Sequence, residues 1–206
     1  VAGAIVRMTG SGMGCPDWPK CFGYFIPPTE SSQLLFEANR SYDKGMMILL
    51  DQEVFLVAKS DFISGEKFNA TDWEVYSKHD YTTYDPVHTW VEYINRLIGV
   101  LSGIPILIFT ILAFWYRKQS IWIPLISVLT LFGMGFQAWL GKTVVDSNLA
   151  PYKITIHMVM ALLIVAFILY LIFASKTTYK QQTYHKRFYN ILLLALGLSL
   201  VQIILN

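Results

Sequence analysis

Four long apolar runs fill the second half of the chain: Leu97 to Tyr116, Ile121 to Leu140, Ile154 to Ala174 and Phe188 to Leu205. Each is close to the roughly 20 residues that a helix needs to cross a bilayer core. Short polar connectors separate them, so the pattern predicts an all-α helical membrane bundle. The opening Val1-Ala-Gly-Ala-Ile-Val6 is also apolar but too short to span, and reads as the tail of a spanning helix whose beginning is absent. The far end stops at Gln202-Ile-Ile-Leu-Asn206 without a polar tail, so the chain reads as a piece of a longer polypeptide. No charged stretch followed by a small-residue cleavage site marks a signal peptide.

Between these regions the pattern changes. From about residue 22 to 87 the chain is polar, with short apolar stretches at Met46 to Leu50 and Glu53 to Ala58 flanking Asp51-Gln52. That arrangement predicts a β-hairpin with a two-residue turn. Gly65 and Asn69 to Trp73 predict further short β or turn structure. A polar stretch of this length folds or covers something, so it is read as a small extramembrane module. The expected boundaries are 1–8 for the end of a first membrane helix, 9–89 for the external loop, then helices over 90–116, 121–140, 152–175 and 188–206. Gly99-Val-Leu-Ser-Gly103 offers a small-residue face for close helix contact.

Composition supports the membrane reading: 54% of the 206 residues are hydrophobic and 15% charged, too apolar for an ordinary soluble domain. The net charge of +2 gives no reason to expect nucleic acid, because the charges are segregated. Twelve acidic residues face six basic ones between Asp17 and Asp85. The connectors carry Arg117, Lys118, Lys176, Lys180, Lys186 and Arg187 on one side and only Lys142 and Lys153 on the other. The positive-inside rule then puts the acidic module and both cysteines outside.

The candidate chemistry lies where polar chain meets apolar run, between His88 and Gly99. At helical spacing His88, Glu92, Asn95 and Arg96 fall on or near one face. Ionisable groups at the mouth of a membrane helix are functional candidates. The alternative is an interfacial anchor, with Trp90 and Tyr93 in the aromatic belt and Arg96 snorkelling outward. His157 sits near the start of the third run, ~6 Å deep at the helical rise, as either a packing residue or a metal ligand. His79 and His185 read as solvated. Cys15 and Cys21 are the only cysteines and stand in a Gly- and Pro-rich loop. Two cysteines cannot close a tetrahedral zinc site. In an oxidising compartment the pair is expected as a disulfide, with unpaired thiols the alternative.

The motifs Arg7-Met-Thr-Gly-Ser-Gly12, Cys15-Pro-Asp-Trp-Pro-Lys-Cys21, Glu92-Tyr-Ile-Asn-Arg96 and Gly141 to Pro151 followed by Ile154-Thr-Ile-His157 resemble the haem A synthase family. The similarity is closest to bacterial members with a long first external loop, and runs from Val1 to about Leu205. It implies an eight-helix membrane protein built of two similar halves, of which this chain covers the end of helix 1, helices 2 to 4 and most of helix 5. The implied reaction oxidises a methyl group of haem O to the formyl group of haem A, which serves terminal cytochrome oxidases. Haem b would belong to the absent half. By the same resemblance Glu92 matches the essential carboxylate, His157 the axial histidine, and Cys15 and Cys21 the external cysteine pair.

Asn95 departs from the family, many of whose members carry histidine three residues after the glutamate. Asparagine is a poor iron ligand beside imidazole. His88 is a candidate replacement but lies seven residues earlier, ~10 Å along a continuous helix. Arg96 is a candidate partner for haem propionates, and Asn95 and Arg96 are both placed at the cofactor. Expected partners are haem O, haem O synthase, the cytochrome oxidase assembly machinery and lipid, with a homo-oligomer left open. The expected location is the bacterial inner membrane, with 9–89 on the outer side. Two other classes compete: a haem b-binding electron-transfer subunit, which calls for paired histidines, and a thiol-disulfide membrane protein, which calls for a second cysteine pair.

Overall fold

In the computed structural model, which describes residues 2–50, 54–78, 83–176 and 185–205, the chain divides into two units, Val1–Ile98 and Gly99–Asn206. The first begins with the short helix α1 (Ala2–Met8) and a 3-10 turn at Ser11–Met13. It continues through strands β1 (Ser41–Tyr42), β2 (Met47–Leu50), β3 (Val54–Ala58), β4 (Phe62–Ile63) and β5 (Trp73–Val75).

β2 and β3 pair antiparallel, Met47 opposite Val57 and Leu50 opposite Val54, so the hairpin strands form where the apolar stretches predicted them. The turn residues Asp51 and Gln52 lie outside the described residues, as does His79. The structure is richer in strand than a lone hairpin: β5 adds to β3, and β1 pairs with β4 in a second, two-stranded sheet.

Strand periodicity explains why those stretches are apolar on every residue rather than on alternate ones. Successive side chains point to opposite faces, and here both faces are covered. Met47 and Phe55 pack with Phe22, Leu34 and the two cysteines, while Ile48 and Leu56 pack with Tyr42, Ala58 and Trp73. A module of this size therefore has two small cores, one of them built on the cysteine loop.

Helix α2 (Pro86–Ala113) starts with proline at its first position, where a missing N–H costs nothing. The Asp85 carboxylate accepts from the N–H groups of Val87 (2.8 Å) and His88 (3.0 Å), and so caps it. The remaining helices are α3 (Trp122–Asp146), α4 (Pro151–Ala174) and α5 (Lys186–Leu205). All four long helices, α2 with its 3-10 extension to Lys118, are long and apolar enough to cross a membrane.

Helix α3 runs on through residues 141–146, which the charge pattern assigned to a connector. Lys142 and Asp146 account for this, forming an i,i+4 ion pair at 2.7 Å that supports one more turn. The helix stops where Asn148 and Leu149 take left-handed backbone angles (φ 54° and 59°). Close packing of α3 on α4 occurs at Gly133, where an added Cβ would lie 3.1 Å from Met160 and 3.3 Å from Ile164. Among the described residues no atom comes within 4 Å of a Cβ at Gly99 or Gly103. Buried hydroxyls satisfy themselves on the backbone: Thr110 donates to Ile106, Ser127 to Pro124 and Thr130 to Ile126. This is the requirement of an apolar surrounding.

Candidate functional site

Glu92 lies on α2 two residues after Trp90 and is only 4% exposed. Both of its oxygens are engaged. Oε2 accepts the backbone N–H of Cys15 at 2.9 Å, and Oε1 accepts from Nη2 of Arg96 at 2.5 Å. Glu92 and Arg96 meet because positions four apart share a helix face.

Arg96 does more than neutralise the carboxylate. Its Nη1 donates to the carbonyls of Asp17 (2.8 Å) and Lys20 (3.1 Å), and its Nη2 also donates to the carbonyl of Cys15 (3.2 Å). These three carbonyls belong to one short loop, closed by a disulfide between Cys15 and Cys21. The guanidinium thus reads the shape of the loop with a rigid fork of donors, which a lysine ammonium could not reproduce.

The loop is held from other directions as well. Thr89 donates from its hydroxyl to the carbonyl of Gly14 at 2.8 Å. Gly14 must be glycine, because a Cβ there would collide with the backbone carbonyl of His88. The Asp17 carboxylate accepts from the N–H groups of Phe22 (2.6 Å) and Gly23 (2.8 Å). Burial pushes its pKa above the ordinary 3.8, against the opposing pull of those N–H groups and of Arg96. Trp90 and Tyr84 both donate to the carbonyl of Pro28, at 3.2 and 2.9 Å, tying the next stretch of the module to the same helix.

The other predicted residues fall around this centre. Asn95 lies on α2 facing α1, where a Cβ on Gly3 would stand 3.8 Å from its Oδ1. His88 is in the first turn of α2, its N–H taken by the Asp85 cap. Among the described residues no cluster of three or more His, Cys, Asp or Glu side chains gathers as a metal site.

His157 occupies the second unit, on α4, with its ring against α3. Gln137 Nε2 lies 3.0 Å from the His157 backbone carbonyl and 3.3 Å from Nδ1. Gly141, one turn along α3, would place a Cβ 3.3 Å from Nε2. Neither Gln137 nor Thr89 stood out in the sequence. A lone amide within an apolar run was the available signal for Gln137.

Comparison with known proteins adds three findings. The model of the family described as cytochrome oxidase assembly protein matches residues 1–59 and 64–205. A protein named heme A synthase from Shewanella oneidensis is 24% identical over 156 residues, which are 76% of this chain and 35% of that relative. The chain therefore spans well under half the length of the curated relative it matches. No solved structure matches.

Proposed function

Since the chain belongs to the cytochrome oxidase assembly protein family, the haem A synthase family that its motifs resemble, we propose that it serves haem A biosynthesis, with haem O as substrate and haem A as product. The reaction is oxidation of a haem methyl group to formyl through a hydroxymethyl stage, which draws on an electron acceptor and an oxygen source supplied from outside this chain, and the product is passed to terminal cytochrome oxidase. The observation that carries this reading is Glu92: a carboxylate 4% exposed, at the head of a membrane helix, with both oxygens fixed by named donors. Such a group is preorganised, and preorganised charge is the largest single source of catalytic stabilisation.

Glu92 has two roles open to it during methyl oxidation. It can take up a proton that leaves the substrate carbon, and its negative charge can stabilise positive charge developing there. Arg96 serves as the residue that orients Glu92 and holds the cysteine loop over it. Pairing with a haem propionate would require it to release these contacts. His157 is proposed as the axial ligand of substrate haem. Its surroundings fit that role, since Gln137 engages the Nδ1 side of the ring and the Nε2 side faces a residue without a side chain. Metal-bound histidines commonly donate their second ring N–H to a polar partner, a role that Gln137 fills only through its Oε1. With asparagine at position 95, we assign α2 no second imidazole.

The chain is an integral membrane protein. We place it in the bacterial inner membrane with residues 9–89 on the outer face, on the strength of its basic inner connectors. Haem O synthase and the cytochrome oxidase assembly machinery are its proposed partners.

The test is Glu92→Gln in the intact protein expressed in cells that depend on it for haem A. Extracted haem should show haem O and no haem A, with the protein still in the membrane. Near-normal haem A would refute the assignment. Low-temperature EPR should show no low-spin bis-imidazole signal from this half of the protein.

A further inference from the structure

The Oε1 of Gln137 is buried with no hydrogen-bond partner, the sole such side-chain atom among the described residues. A buried unsatisfied acceptor costs about 1–3 kcal/mol, so its persistence beside a histidine calls for a reason. Gln137 and Gly141 are four residues apart on α3 and therefore share the face that meets His157. The amide nitrogen carries two hydrogens. One goes to the His157 carbonyl at 3.0 Å, and the other meets Nδ1 at 3.3 Å. A donor at Nδ1 requires a lone pair there, which places the ring hydrogen on Nε2. A half-turn of the carboxamide exchanges its ends. The now orphaned Oε1 would then accept from Nδ1–H in place of the present bond to the His157 carbonyl, and the imidazole Nε2 would present its lone pair.

We propose that Gln137 is the positioning residue of His157, selecting the imidazole tautomer through the direction of its carboxamide, with the ring seated against the gap at Gly141. An apolar side chain of the same length could fill the space but could not select either tautomer. In the orientation seen here, Gln137 donates and Nε2–H is the form held. The acceptor orientation, which gives up the hydrogen bond to the His157 carbonyl, is the one that frees the ring Nε2 to bind a metal. The haem-related part of this inference rests on the proposed ligand role of His157, whereas the tautomer selection does not.

The two parts separate experimentally. Histidine-selective 15N NMR on the intact, haem-free protein in detergent reads the tautomer directly, with His157→Ala identifying the signal of that ring. The wild type should show the Nε2–H form. Gln137→Met, which keeps the length and loses the amide, should give a mixture of tautomers. Gln137→Glu, an acceptor only, should favour Nδ1–H. Unchanged tautomer populations in both variants would overturn the proposal, and a change in either one of them supports it even if the other fails to fold. Hemin titration is the second arm. Gln137→Met should weaken, by roughly 10–100-fold, the hemin binding that His157→Ala removes. If His157→Ala removes no hemin binding while the tautomers still respond to Gln137, the positioning stands and the ligand role of His157 falls.

Discussion

Glu92 and His157, the carboxylate and the imidazole proposed to carry the chemistry, are held in opposite ways. Glu92 sits in a network with many anchors: a guanidinium, a backbone N–H, a disulfide-closed loop, a threonine hydroxyl and a glycine that allows close approach. Among the described residues His157 has a single side-chain hydrogen-bond partner, Gln137, itself with one unsatisfied oxygen. The first arrangement is over-determined and resists displacement. The second is a two-way choice that one amide can make. The difference suits the roles proposed for them, a charged group held still and a ring whose tautomer one amide selects.

If that contrast is right, the largest effect should come from Arg96→Leu. It leaves a buried carboxylate uncompensated, and breaking a buried pair in this way costs about 3–5 kcal/mol. Thermal unfolding in detergent should show it as a marked loss, only partly recovered by Arg96→Lys. A loss under about 1 kcal/mol, the range of an exposed pair, would show that the network is not the anchor described. Replacing Cys15 and Cys21 together with serine should come next, at roughly 2 kcal/mol for so short a loop on the chain-entropy account. It should also loosen Glu92, visible as faster hydrogen exchange at the Cys15-derived amide. Thr89→Val, which deprives the Gly14 carbonyl of its donor, should cost about 1 kcal/mol. On the His157 side, Gln137→Met should change stability less than any of these, because the loss of its two contacts to His157 is offset by removal of the orphaned oxygen. A cost equal to that of Arg96→Leu would erase the contrast.

The smallest effects concern pH, and two aspartates give opposite signs. Asp17 has its pKa raised above 3.8 by burial. Between 3.8 and that raised value the folded chain keeps a proton that the unfolded chain has lost, so stability falls as pH rises through this window. Asp85 has its pKa lowered, chiefly by the N–H of His88 and also by that of Val87. Its helix-capping contribution is full above 3.8 and is lost as pH falls through the lowered value. Unfolding midpoints measured across the acid range should therefore flatten above 3.8 in Asp17→Asn and below it in Asp85→Asn.

The four membrane helices were legible because apolar runs of bilayer length have few other readings. The strands β2 and β3 were legible for a different reason: short apolar stretches within a polar segment. β5 was only hinted at by Trp73, because a three-residue strand leaves almost no period to detect. The α3 end was missed because Lys142 and Asp146 read as connector charges until their four-residue spacing is seen as an ion pair on a helix.

The sequence by itself determined the membrane class, the cysteine pair, the placing of Glu92 and Arg96 on one helix face, and the motifs that mark the family. These depend on composition, local period and short spacing, which a linear chain displays directly. Tertiary structure alone decided what Arg96 is for. Its acceptors lie in a loop far back in the chain, at Cys15, Asp17 and Lys20, and no local pattern announces that a backbone carbonyl will be close to a guanidinium. The same holds for Gln137 and His157, twenty positions apart and on different helices. Their meeting depends on how α3 rotates against α4, which pack closely at Gly133 and Gly141, and not on either residue's neighbours in sequence.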